Sequence, residues 1–226
     1  MATQTGVTSR SDVRVLPAVG FTEHLTFFDA DHDQKISLRE TQLGLERLGL
    51  GHLLTVPGAL FIHLGVAGLG LLRGNAQSPV QLALPGTGFV RHPDTDLVDE
   101  FGNFAVSRLD AVFAQYAHTF PGDALTLPEL LILTQARVIG QTAQQNKPLW
   151  LLPSGLMAAV VEWAALWWMA GELREGKRVL ARDSVLRFYT DPQFFHDVAK
   201  HIATLREERG ERLLGRARNF MQTWVI

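Results

Sequence analysis

Asp29, Asp31 and Asp33 alternate along the stretch FFDADHDQKISLRE, residues 27–40, and Glu40 closes the run. No other feature constrains the fold as tightly. An EF-hand loop takes oxygen ligands from positions 1, 3, 5, 7, 9 and 12 and has to sit between two helices. Counted from Asp29, side-chain carboxylates fall at Asp29, Asp31 and Asp33, and Lys35 offers its backbone carbonyl. Ser37 stands where a direct or water-mediated ligand belongs, Glu40 where the bidentate carboxylate belongs, and Ile36 fills the apolar position. Gln34 is the departure, because the sharp turn there favours glycine. A non-glycine residue at positive φ costs about 1–2 kcal/mol. That weakens affinity roughly tenfold without abolishing it. The expected ion is calcium, with magnesium as the alternative; the plainer reading is an acidic surface loop.

Bulk properties remove several function classes. The net charge is −2 and no basic stripe follows a helix face, so nucleic acid is not expected as a partner. The chain has no cysteine, which excludes disulfides, zinc ribbons and thiolate chemistry. Residues 1–18 lack an apolar signal core and read as a flexible lead, so the expectation is an intracellular, non-secreted protein.

Two apolar stretches raise the mean hydropathy. Residues 53–72, LLTVPGALFIHLGVAGLGLL, carry no formal charge over a length that approaches a bilayer span. Pro57, His63 and four glycines make this a poor straight helix. Residues 150–171 are interrupted by Glu162 and rich in tryptophan, a residue favoured at membrane–water interfaces. Insertion into one leaflet or plain burial is expected for both, ahead of a full span. Exposed apolar segments leave self-association open.

Around the acidic loop, Phe21, His24, Leu25 and Phe28 fall at helical spacing on one face, and ETQLGLERLG reads as the exiting helix. HTFPGDALTLPE, residues 118–129, repeats the end of the pattern at Leu125 and Glu129, but His118 and Phe120 occupy its early ligand positions. It is expected to be an empty partner that pairs with the first hand. Residues 172–189 read as a further vestigial loop and helix, and 205–220 as a charged amphipathic helix. The fold class is mainly α: an EF-hand-like helical domain with one intact hand, one or more degenerate hands, and an uncharged membrane-associating segment. The expected divisions are a lead at 1–18, the hand at 19–50, and the apolar segment with its proline-containing loop at 51–90. A helical part with the degenerate hand follows at 91–205, then the charged helix at 206–226.

Four blocks in order resemble the caleosins, the plant seed peroxygenases. They are HLTFFDADHDQKISLRET, the uncharged segment after it, RHPDTDLVDEFGNFAVSRLDAVFAQYAHT, and VEWAALWWMA with VLARDSVLRFYTDPQFF. The resemblance implies a calcium-dependent haem b protein on lipid droplets or intracellular membranes. Such a protein uses fatty-acid hydroperoxides to epoxidise or hydroxylate unsaturated lipids. It also implies His24 and His92 as haem-binding and catalytic residues. Either one could ligate iron while the other serves as acid and base, or both could ligate. The absence of cysteine independently excludes a thiolate-ligated oxygenase. The departures mark a divergent member: Gln34 in the loop, Pro93 and Asp94 after His92, and no bunched prolines after the apolar segment. Two non-enzymatic readings stand beside this one. One is a calcium-binding protein of lipid-droplet or membrane surfaces without haem, the other a soluble calcium sensor.

Overall fold

The acidic stretch does connect two helices. In the computed structural model, which describes residues 15–19, 21–72, 74–84, 97–98, 103–144 and 152–223, it runs from α1 (Phe21–Leu25) to α2 (Leu38–Arg47). The helix before the loop is shorter than the apolar spacing suggests, because residues 26–28 form a turn. Within the loop, β2 (Lys35–Ser37) leads directly into α2. Ser37 caps that helix reciprocally with Glu40, satisfying donors that a helix start leaves open.

After α2 come α3 (His52–Leu72) and β3 (Gln81–Ala83). β4 (Asn103–Ala105) pairs with β1 (Val15–Pro17) and precedes α4 (Val106–Tyr116). β5 (Ala124–Thr126) runs into α5 (Leu127–Gln144), and α6 (Leu152–Ala170) packs against α5. A hairpin of β6 (Glu172–Arg174) and β7 (Lys177–Ala181) leads to α7 (Arg182–Thr190), and α8 (Phe194–Thr223) ends the described chain. The mainly helical class is as expected.

The strand pairing corrects one expectation. The first loop does not pair with residues 118–129. β2 lies antiparallel to β3, with Ile36 opposite Leu82. β5 lies antiparallel to β7, with Leu125 opposite Leu180. All four of these side chains are fully buried. Each loop strand thus meets a different partner: the first takes the segment returning from α3, and the second takes the strand entering α7.

A second correction concerns residues 53–72, which form one continuous helix despite Pro57 and the glycines. Pro57 sits in the second turn on the exposed side, where the carbonyl it leaves free can meet water. Gly58 has a packing reason: a Cβ there would come within 3.1 Å of Leu45 on α2. Thr55, Ala59, His63, Val66, Ala67 and Gly70 make the buried stripe. The opposite face is apolar as well, with Leu53 90% and Leu64 60% exposed. Among the described residues no helix is long and apolar enough to cross a membrane.

One buried cluster joins the elements. It runs from Leu25, Phe27 and Phe28 through Phe104, Phe113, Leu125 and Trp163 to Phe188, Tyr189 and Phe195. The helix leading into the acidic loop is therefore built into the same core as α7 and α8.

Candidate functional site

The loop brings together three of the carboxylates its spacing nominates. Oxygens of Asp29, Asp31 and Glu40 lie within 4.8 Å of one another, a group suited to a hard, oxygen-seeking cation. Backbone donors hold them in place. Asp29 accepts from the amides of Asp33 at 3.2 Å and Gln34 at 3.0 Å, and Asp31 accepts from Asp33 at 3.2 Å. Asp33 stands apart from the group, since its Oδ1 accepts from the Lys35 amide at 2.8 Å. Lys35 begins β2 opposite Ala83. Gln34 adopts the positive φ that its position demands, 64°, and His32 does so too at 60°.

Glu40 serves the helix and the loop at once. Its Oε2 accepts from the amide and hydroxyl of Ser37, both at 2.8 Å, and its Oε1 from the Ala30 amide at 3.2 Å. Burial works to raise its pKa, but these hydrogen bonds outweigh it and hold the carboxyl below its ordinary value. The Ser37 hydroxyl is engaged in this capping box.

The second loop closes in a different way. Glu129 Oε1 accepts from the amides of His118 (2.9 Å) and Thr119 (2.7 Å) and from the Thr119 hydroxyl (2.9 Å). Its Oε2 accepts from the Thr126 amide at 2.8 Å and hydroxyl at 2.7 Å. Burial again opposes the charge, and the Thr126 and Thr119 donors overcome it, lowering the pKa to about 2. These donors fill both oxygens of the carboxylate without a cation.

His24 is 5% exposed, with its ring 4.6 Å from that of Phe188 and 5.1 Å from that of Phe195. Its Nε2 lies 3.0 Å from the Phe188 carbonyl oxygen. A ring nitrogen facing a carbonyl carries the proton, so Nε2 donates here and the lone pair of the ring is on Nδ1. An axial haem ligand needs a ring lone pair, so in this arrangement Nε2 of His24 is not the ligating atom. His92 lies outside the described residues.

His63, noted above for its place in an uncharged segment, is fully buried between α3 and α2. Its Nε2 is 2.9 Å from Thr41 Oγ1, and Thr41 Oγ1 in turn donates to the Ser37 carbonyl at 3.2 Å. Which of His63 Nε2 and Thr41 Oγ1 donates is set by the tautomer of the ring. Burial lowers the pKa of His63, offset in part by the nearby Pro79 carbonyl. The signal for this link was Thr41 itself, a hydroxyl directly after the closing glutamate. Tyr189, which donates to Glu162 Oε1 at 3.2 Å, makes a further, half-buried polar contact that sequence reasoning missed.

A protein-family model described as "Caleosin related protein" matches residues 19–199. The chain is 27% identical over 184 residues to "Probable peroxygenase 4" of Arabidopsis thaliana, covering 78% of this chain and 84% of that protein. It is 29% identical over 183 residues to "Peroxygenase" of Lilium longiflorum, covering 80% of this chain and 70% of that one. No solved structure matches it.

Proposed function

The chain belongs to the caleosin-related proteins, and on that basis we propose that it is a calcium-binding peroxygenase of unsaturated lipids. The observation that carries the reading is the family match across residues 19–199, together with relatives named as peroxygenases. In the reaction a fatty-acid hydroperoxide ROOH gives up its terminal oxygen. The O–O bond breaks, ROH leaves, and the oxygen joins a carbon–carbon double bond as an epoxide or enters a C–H bond as a hydroxyl.

Calcium is assigned to the first loop. The carboxylates of Asp29, Asp31 and Glu40 support the assignment, with Asp33 and the Lys35 carbonyl completing the ligand set after Asp33 turns from its own backbone. Like charges held this close repel one another until a cation neutralises them. Haem is implied by the resemblance through His24 and His92; Nε2 of His24 is engaged with Phe188, and His92 lies outside the described residues. The exposed apolar face of α3 supports a place on a lipid-droplet or membrane surface, where the substrate resides.

The test is incubation of the purified protein with calcium, oleate and a fatty-acid hydroperoxide labelled with ¹⁸O in both peroxide oxygens. Labelled epoxide supports the assignment. Absence of product, with and without added haemin, favours a non-catalytic calcium-binding protein of lipid surfaces, the reading that the exposed α3 face otherwise supports.

A further inference from the structure

The His24 bond has a cause in the sequence of α7. Phe188 lies in the last turn of that helix, and the amide that would serve its carbonyl in a continuing turn belongs to residue 192. Residue 192 is proline and has no N–H. A buried carbonyl in that position needs a donor from elsewhere, and His24 Nε2 supplies it across 164 residues of sequence.

The residues between His24 and the first aspartate are held on both sides. Phe27 meets Phe195 at 5.6 Å and His196 at 5.1 Å between ring centroids. The Arg47 guanidinium lies 4.6 Å from the Phe27 ring centroid, and Arg47 also donates to the Phe27 carbonyl at 3.0 Å. Phe28 occupies a notch at Gly44, where a Cβ would stand 2.2 Å from the phenyl ring. Residues 24–28 are thus clamped between α2 on one side and α7 with α8 on the other, directly before Asp29.

We infer that His24 is a positioning residue: it caps the end of α7 and ties the entry of the acidic loop to α7 and α8. Ordering of the loop by a cation then tightens the α7–α8 contact, and loosening of that contact weakens cation binding. The tie is independent of the oxygen-transfer chemistry. Its coupling to the cation rests on the calcium reading above.

The experiment compares wild type, His24→Ala and His24→Gln by thermal unfolding with and without calcium, by calcium titration, and by the absorption spectrum after adding haemin. The glutamine amide can reach the same carbonyl, but as an amide it is a poor ligand for haem iron. Loss of the bond in His24→Ala is expected to lower Tm by about 5 °C and calcium affinity about fivefold. His24→Gln is expected to recover most of both and to keep any Soret band the wild type shows. Wild-type Tm and calcium affinity in His24→Ala would overturn the tie. A folded His24→Gln that loses the Soret band would overturn it in favour of iron ligation. A wild-type Tm that ignores calcium would remove the coupling and the calcium reading, while a Tm loss in His24→Ala would still support the cap.

Discussion

Nε2 of His63 and Oγ1 of Thr41 are 2.9 Å apart in the interior between α3 and α2, one residue beyond the glutamate that closes the acidic loop. The apolar helix is thereby pinned to the end of the loop. Burial disfavours the charged imidazole, so the folded state resists a proton that the unfolded chain accepts readily. The stabilisation is fully present above the ordinary histidine value of 6.5 and is lost as pH falls through the lowered folded value. His63→Leu, similar in volume, is expected to leave stability at pH 7.5 within about 1 kcal/mol. It should also shrink the wild-type loss between pH 7.5 and 5.5. Denaturant unfolding at the two pH values checks this; an undiminished loss in the variant rules out His63 as its source.

Glu40→Gln should act on both of that residue's duties. Removing a charged ligand is expected to weaken calcium binding roughly tenfold to a hundredfold. The damaged capping box costs about 1 kcal/mol besides. Titration calorimetry on the folded variant separates the two effects, and an unchanged calcium constant would remove Glu40 from the site.

In the second loop, acid should do what metal removal does in the first. Glu129 has a folded pKa near 2 against an ordinary value of 4.5. Its stabilisation is therefore present above pH 4.5 and disappears as pH falls toward 2. Glu129→Gln is expected to destabilise the fold by about 2–3 kcal/mol at pH 7, with little change in calcium stoichiometry. Equal stability of variant and wild type at pH 7 would contradict the hydrogen-bonded role.

Leu53 and Leu64 point outward from α3, so aspartate at either position should leave folding nearly intact, within about 0.5 kcal/mol. If this face meets lipid, each change should weaken binding to phospholipid vesicles about tenfold, equivalent to about 1.4 kcal/mol. Co-sedimentation measures it, and full binding by the double variant would place the contact elsewhere.

The acidic loop was legible because the positions of its carboxylates are set by local spacing, and Gln34 takes the positive φ that the spacing asks of it. Strand partners were not legible. A three-residue strand such as Lys35–Ser37 carries too little pattern to select among short candidates, and its match with Gln81–Ala83 depends on where α3 returns the chain. The continuity of α3 does not follow from intrinsic helix propensity alone: Gly58 lowers that propensity but permits close approach to Leu45. The engagement of His24 depends on Pro192, far along the chain, and no window around residue 24 contains that information. In the second loop, Thr119 and Thr126 were a readable hint that Glu129 had donors enough of its own.

The two strand pairings also bear on the order in which the chain can assemble. β2 finds β3, and β5 finds β7, each within its own half of the sequence. Short loops close at lower entropic cost than long ones, so each half can collect native contacts before the other is in place. The bond from His24 to Phe188 bridges 164 residues and can form only when both halves meet. It belongs to the last stage of folding, and a weakened version should speed unfolding while leaving the folding rate nearly unchanged.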